Sequence, residues 1–329
     1  SICEKNFSKL VGSNYAVGCA NGTDAITIAL KSLNLPKNSE VIMPAMTYCS
    51  TAFAIINAGL KPVLVDLEKN KPTIDIKRIS SKLNNKTKVI MPVHLYGSVV
   101  NLYKIKSIIK RFKKKIYLVD DCAQAHGATI ENLKNKRVGS ISDISCFSLY
   151  PGKNLGAYGD AGVLTTNNKR FFKLLSNLRN LGSNKKFIHD QIGQNSRLDT
   201  IQAAILNLKI KDLESLNKRR VKIANYYDNY ILNNKITKLN YSKGCVYHQY
   251  VILTKNRSKM IKHLNKNKIQ FGFHYRFALH QLKALKKFFK NQKYPNSEKL
   301  AKEGISIPID PNLTLREIKK ITKVLNSFR

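Results

Sequence analysis

The chain has 329 residues, 43% of them hydrophobic and 24% charged, a balance that suits a globular protein with one large domain and room for a smaller one. Its formal net charge is +38, yet the lysines lie scattered through every segment, often beside asparagine, with no zinc-finger spacing, basic zipper or RNP-like motif; nucleic acid is not expected as the main partner. No apolar run approaches the ~20 residues of a membrane span, and "SICEKNFSKL" lacks the layout of a signal peptide, so a cytoplasmic protein with no membrane partner is expected.

In chain order, short β-branched runs alternate with helical patterns. The runs are "NYAVGCA", "EVIMPA", "KPVLVDL", "KVIMPVHLY", "KIYLVDD", "SCFSLY" and "AGVLTT"; between them lie "TDAITIALKSL", "TAFAIINAGL" and "LYKIKSIIKRF". This alternation predicts an α/β fold with a mostly parallel sheet between helices. From about Arg197 to Leu232 the pattern is continuously helical and predicts one long connector. Beyond it, "YHQYVILT", "IQFGFHY" and "ISIPI" alternate with "KMIKHLNKN" and "LTLREIKKITKVLNSF", which predicts a smaller α+β domain. The expected division is 1–225 and 226–329. Six cysteines without C-x-x-C spacing read as buried free thiols, with neither a disulfide framework nor a metal site expected.

Ligands of open α/β sheets bind beyond the carboxyl ends of the strands, so the residues that follow each run carry the functional information. After the first run, Asn21-Gly22-Thr23-Asp24 opens a helix; it is either a phosphate cradle or a plain helix cap. Tyr48 follows the second run, as an aromatic plate for a ligand or as a packed tyrosine. Asp120 and Asp121 end a strand and must face opposite ways, so at most one meets a given ligand. His126, a little further on, has the bland reading of a satisfied loop histidine. Ser148 closes "SCFSLY", and Lys153 follows in a glycine-studded loop. Alone, Lys153 would be one more surface lysine. Together, a phosphate cradle, an aromatic plate, an aspartate and a lysine are what pyridoxal 5'-phosphate requires: a Schiff-base partner, and a carboxylate that keeps the pyridine nitrogen protonated.

The wording of the chain closely resembles the DegT/DnrJ/EryC1/StrS family of sugar aminotransferases, nearly end to end. The resemblance is carried by "ANGTDAITIALKSL" (20–33), "EVIMPAMTYCSTAFAIINAGLKPVLVDLE" (40–68), "MPVHLYG" (91–97), "VDDCAQAHGA" (119–128), "VGSISDISCFSLYPGKNLGAYGDAG" (138–162), "RNLG" (179–182) and "GQNSRLDTIQAAIL" (193–206). Weaker matches are "FGFHY" (271–275) and "ISIPIDPNLT" (305–314). It implies a three-layer, fold-type-I aminotransferase-like architecture with a smaller C-terminal domain. By position it implies Lys153 as Schiff-base lysine and general base, and Asp121 as partner of the pyridine nitrogen. Gly22, Thr23 and Ser148 are implied as phosphate ligands, Tyr48 as the stacking ring and Gln124 on the ring-hydroxyl side. Asn195 is implied to reach the cofactor phosphate of a neighbouring subunit, hence a homodimer with shared active sites.

The same resemblance implies amino transfer from glutamate to a nucleotide-linked keto-sugar, with pyridoxamine phosphate between the two halves. A 3-keto substrate is favoured over a 4-keto one by "YPGKNLGAYGDAG" and the "HY…LH" pattern at 274–280. His274, Tyr275 and Arg276 are candidates for the sugar nucleotide, unless they form only a solvated face. Departures are Leu181, where His or Tyr is common, and Arg276, where Pro is frequent. Family members usually carry a further N-terminal stretch, so the chain reads as truncated or unusually short. The competing class is a basic interaction or nucleic-acid-binding protein on a degenerate aminotransferase scaffold; intact Lys153 and Asp121 speak against it.

Overall fold

The computed structural model describes residues 1–131 and 136–329. Seven strands form the main sheet: β1 (Tyr15–Cys19), β2 (Glu40–Pro44), β3 (Lys61–Val65), β4 (Thr87–Ile90), β5 (Tyr117–Asp121), β6 (Ile144–Ser148) and β7 (Gly162–Thr166). Their spatial order is β1-β7-β6-β5-β4-β2-β3. Strands β2 to β6 run parallel to their neighbours among themselves, and β7 is antiparallel to both β1 and β6. The expected mostly parallel sheet is therefore present, with one reversed strand near its edge.

Strand alternation sorts the core into two layers. Val17, Val41, Met43, Val119, Cys146 and Leu164 face one side, against α2 (Gly22–Ser32), α3 (Cys49–Asn57) and α5 (Lys169–Leu178). Ile42, Ile90 and Leu118 face the other side, against α4 (Leu102–Arg111). Ala16, Phe147 and Val163 share that side with α1 (Ile2–Val11) and α6 (Thr200–Lys209). Burial of both faces is what demands the near-continuous apolar strands seen in the sequence.

Two sequence expectations need correction. The connector is not one helix: α6 ends at Lys209, and α7 (Leu213–Tyr230) starts after a turn at 210–212. Asp212, a weak helix former, takes the N-cap position there without a side-chain cap hydrogen bond. Secondly, "IQFGFHY" does not form a regular strand and makes only an isolated bridge, Gly272 to Ser306. A small hairpin of β8 (Ser183–Lys185) and β9 (Ile188–His189) precedes α6. The C-terminal part holds a three-stranded antiparallel sheet of β10 (Thr237–Lys238), β11 (Tyr250–Leu253) and β12 (Gly304–Ile307). Its core is shared with α7, α8 (Arg257–Lys266) and α10 (Leu315–Asn326). Helix α9 (Pro295–Glu303) connects back to the main sheet: the Asp66 carboxylate, just past β3, accepts from the N–H groups of Asn296 and Ser297 at 3.0 and 2.9 Å. All six cysteines are free, and five are buried.

Candidate active site

The site is built at the carboxyl ends of β5 and β6 and at the start of α2. Asp120 and Asp121 part as strand geometry requires. Asp120 turns to the α4 side and meets His94 Nε2 at 3.2 Å. Asp121 turns to the α3 side, where its Oδ2 accepts the Thr51 hydroxyl at 2.9 Å and its Oδ1 accepts the Ala123 N–H at 3.0 Å. Burial raises the proton affinity of Asp121, while the Ala123 and Thr51 hydrogen bonds, Lys153 and His94 pull the other way. Those groups oppose the rise that burial causes, and the balance still leaves Asp121 above the ordinary carboxylate range.

Lys153 reaches this region from the loop after β6, in a turn closed by its N–H on the Tyr150 carbonyl at 2.9 Å. The side chain is half-buried. Desolvation lowers its proton affinity, and the nearby Asp121 charge partly restores it. The opposing charges of Lys153 and Asp121 therefore share one desolvated space.

Helix α2 begins against the end of β6. A Cβ added to Gly22 would lie 2.5 Å from the Ser148 Cβ, so only glycine lets the helix terminus approach the strand this closely. Asn21 caps the helix by accepting the Asp24 N–H at 2.8 Å, and the Thr23 hydroxyl donates to Ser50 Oγ at 3.0 Å. Among the described residues, the N–H groups of Gly22 and Thr23 have no acceptor; at the positive end of α2 they form a ready anion site. Ser148 offers a hydroxyl beside them, and its carbonyl accepts His126 Nε2 at 2.8 Å.

A third group lines the approach. Gln124 Oε1 accepts the Tyr96 N–H at 2.6 Å, and its Nε2 donates to the Tyr275 hydroxyl at 3.0 Å. The Tyr275 ring lies 5.5 Å from the ring of Tyr48, which is exposed. The Tyr96 hydroxyl donates to the His274 carbonyl, and His274 Nδ1 meets Ser306 Oγ at 2.7 Å. Arg276 is exposed, with its guanidinium 4.6 Å above the Phe273 ring. Asn195 stands apart: it is exposed and bridges to Asn180, and no hydrogen bond links it to the cluster among the described residues.

His126 is buried, and burial together with the Lys153 charge pulls its proton affinity down to about 3. Its ring lies 5.6 Å from Phe147, and its Nδ1 is buried with no hydrogen-bond partner among the described residues, so the ring is packed but only half satisfied. The buried group His94, Asp120 and Cys122 has metal-ligand spacing. However, the Val100 N–H donates to His94 Nδ1 at 3.0 Å, so Nε2 carries the ring proton and donates to Asp120. A metal would need that nitrogen bare; the group is a hydrogen-bonded brace for the end of β5.

Sequence reasoning missed Thr51 and Tyr96. Thr51 had a usable signal, since it lies one helical turn after Tyr48 on the helix that faces Asp121. Tyr96 acts through its backbone N–H and a distant carbonyl, which no local pattern reveals.

The residues present fit pyridoxal phosphate: free helix-terminal N–H groups for the phosphate, a braced carboxylate for the pyridine nitrogen, and a desolvated amine. The sequence profile of the DegT/DnrJ/EryC1/StrS aminotransferase family matches residues 3–326. The chain belongs to this family. Among its relatives is a dTDP-3-amino-3,6-dideoxy-alpha-D-galactopyranose transaminase of Aneurinibacillus thermoaerophilus, 39% identical over 327 residues, covering 99% of this chain and 88% of the relative. A UDP-N-acetyl-3-dehydro-alpha-D-glucosamine 3-aminotransferase of Acidithiobacillus ferrooxidans is 35% identical, covering 98% and 86%. Among solved structures, S. venezuelae DesV in complex with a ketimine intermediate superposes with a TM-score of 0.94 at 31% identity, covering 98% of this chain and 87% of that one. The fold is accordingly that of the fold-type-I aminotransferases.

Proposed function

We propose that the chain transfers an amino group from glutamate to a nucleotide-linked keto-sugar, 3-keto in preference to 4-keto, with pyridoxal phosphate as cofactor, for surface-glycan or related biosynthesis. The observation that carries this reading is the pairing of Lys153 with Asp121 in desolvated surroundings, with the open N-terminus of α2 set against Ser148 at the end of the neighbouring strand β6. The 3-amino and 3-dehydro sugars in the names of the two relatives above favour the 3-keto substrate.

In this reading Gly22, Thr23 and Ser148 hold the cofactor phosphate, Tyr48 covers the ring, and Gln124 approaches the ring-hydroxyl side. Bound there, the cofactor supplies an electron sink at the carbon bearing the amino group. Asp121, braced by Ala123 and Thr51, keeps the ring nitrogen protonated. Lys153 Nζ, made a better neutral base by desolvation, takes the proton from Cα of glutamate and later returns one to the sugar carbon. His274, Tyr275 and Arg276 flank the approach and are assigned to the sugar nucleotide, whose diphosphate suits the cationic Arg276.

The chain is proposed to work as a homodimer, with Asn195 serving the partner's cofactor and with domains at 1–225 and 226–329. Exposed Phe187 and Ile192, in and just after the β8–β9 hairpin, and exposed Ile201 and Leu208 on α6 support that assembly. The deciding assay offers glutamate with 3-keto and 4-keto sugar nucleotides and measures 2-oxoglutarate. Turnover of 4-keto compounds alone would reverse the regiochemical assignment, and no turnover of either would remove the sugar substrate.

A further inference from the structure

The hydroxyl that Thr51 offers to Asp121 belongs to a buried pair. Thr47, in the link between β2 and α3, and Thr51, in the first turn of α3, are both buried, with their hydroxyl oxygens 3.1 Å apart. Thr51 Oγ1 carries one proton and has two acceptors within reach besides Thr47: Asp121 Oδ2 at 2.9 Å and the Tyr48 carbonyl at 3.2 Å. The Tyr48 carbonyl already accepts the Thr51 N–H at 3.2 Å, whereas Asp121 Oδ2 has no other donor among the described residues. The shorter contact and the unmet acceptor both assign the Thr51 proton to Asp121.

That assignment orders the pair. A hydroxyl that donates to Asp121 cannot also donate to Thr47, so Thr47 donates to Thr51. Among the described residues Thr47 Oγ1 has no other hydrogen-bond partner. Protonation of Asp121 upsets this order. Its Oδ1 already accepts the Ala123 N–H, so an arriving proton goes to Oδ2 and turns that oxygen into a donor toward Thr51. Thr51 must then send its own proton elsewhere. Given to Thr47, it strands the Thr47 proton in a buried space, and a buried donor without an acceptor costs more than a made bond gains. Given to Tyr48, it takes the longer contact, to a carbonyl that already holds an N–H.

We propose that Thr47 is a positioning residue for Asp121: by donating to Thr51 Oγ1 it commits the single Thr51 proton to Asp121 Oδ2, and so favours the ionised carboxylate without touching it. The inference rests on Asp121 being the partner of the pyridine nitrogen in the proposed function. The titratable groups that feel Asp121 are Lys153, His94, Tyr275, Cys122 and Cys146. Neither threonine titrates, so comparing variants at Thr47 holds those groups constant.

The test follows the Asp121 carboxyl carbon by ¹³C NMR across pH in the cofactor-free full chain, with Asp121→Asn to assign the resonance. Thr47→Val keeps the shape and removes the hydroxyl; it should raise the Asp121 midpoint by roughly half a unit. Thr47→Ser keeps the hydroxyl and should restore the native midpoint to within about 0.2 units. In a Thr51→Val background, Thr47→Val should add nothing, because the path from Thr47 to the carboxylate is already cut. An unmoved midpoint in folded Thr47→Val, or an equal shift with and without the Thr51 hydroxyl, overturns the proposal. Should Thr47→Val not fold, neutron diffraction of the deuterated native protein decides. Thr47 deuterium pointing at Thr51, with Thr51 deuterium pointing at Asp121, supports the inference; Thr51 deuterium on Thr47 or on the Tyr48 carbonyl refutes it. Pyridoxal phosphate uptake is recorded separately by absorbance: failure to bind it sinks the proposed function, and normal uptake with an unmoved Asp121 midpoint sinks only the role of Thr47.

Discussion

Thr51 shows how much one hydroxyl contributes to this site. Burial drives Asp121 toward its protonated form, and the Thr51 and Ala123 donors act against that drive. Thr51→Val removes one of them, so the Asp121 proton affinity must rise further. The proposed mechanism needs a carboxylate at this position. The acid limb of the kcat/KM profile should therefore move to higher pH in Thr51→Val, with the alkaline limb in place; a profile that falls uniformly at all pH values would assign Thr51 to packing alone. At this scale Lys153 and Asp121 were legible in the sequence, because strand ends and the glycine-rich loop mark them. Their supporting residues were not. Thr51 acts through a contact with a partner 70 positions away, and no local spacing encodes such a pair.

The decisive element is the junction of α2 with β6. Gly22 lies so close to Ser148 that any side chain forces the two apart. Gly22→Ala should cost about 1–3 kcal/mol of stability, as overpacked sites do. It should also weaken cofactor binding more than fivefold, since the open N–H groups are displaced together with the helix (~1 kcal/mol). Chemical denaturation and a cofactor titration read the two effects; a variant with native values for both would mean that the junction yields without cost. The elements themselves were well anticipated, since apolar runs and helical periods mark β1 to β7 and α2 to α4 in the sequence. Two features escaped: the turn between α6 and α7, whose polar face continues unbroken through 210–212, and the irregular path of 269–275. In the latter, β-branched and aromatic composition suggests a strand, but only Gly272 finds a pairing partner.

For the whole molecule, buried neutral histidines tie stability to pH. His126 titrates at about 3 when folded and near 6.5 when exposed, and His248 is shifted the same way. A lowered folded-state value leaves the stability contribution intact above pH 6.5 and erodes it as pH falls below that point. Each such histidine contributes a slope of up to about 1.4 kcal/mol per pH unit. Denaturation midpoints should thus fall between pH 6.5 and 4, and less steeply in His126→Gln; an identical slope in the variant would place the acid sensitivity elsewhere. Assembly is testable at the same scale. Ile192→Asp, at the exposed apolar patch, should halve the particle mass measured by light scattering if the patch is the homodimer interface. A native monomer would refute the shared active site.

The central claim is that Lys153 is the amine that engages pyridoxal phosphate. Purified protein should take up the cofactor, show a visible absorbance band, and after borohydride reduction carry the cofactor on the peptide containing Lys153. Lys153→Ala should lose the band and at least about 100-fold of any transamination rate. A colourless protein that takes up no cofactor, or a reduced adduct on another lysine, would contradict the account.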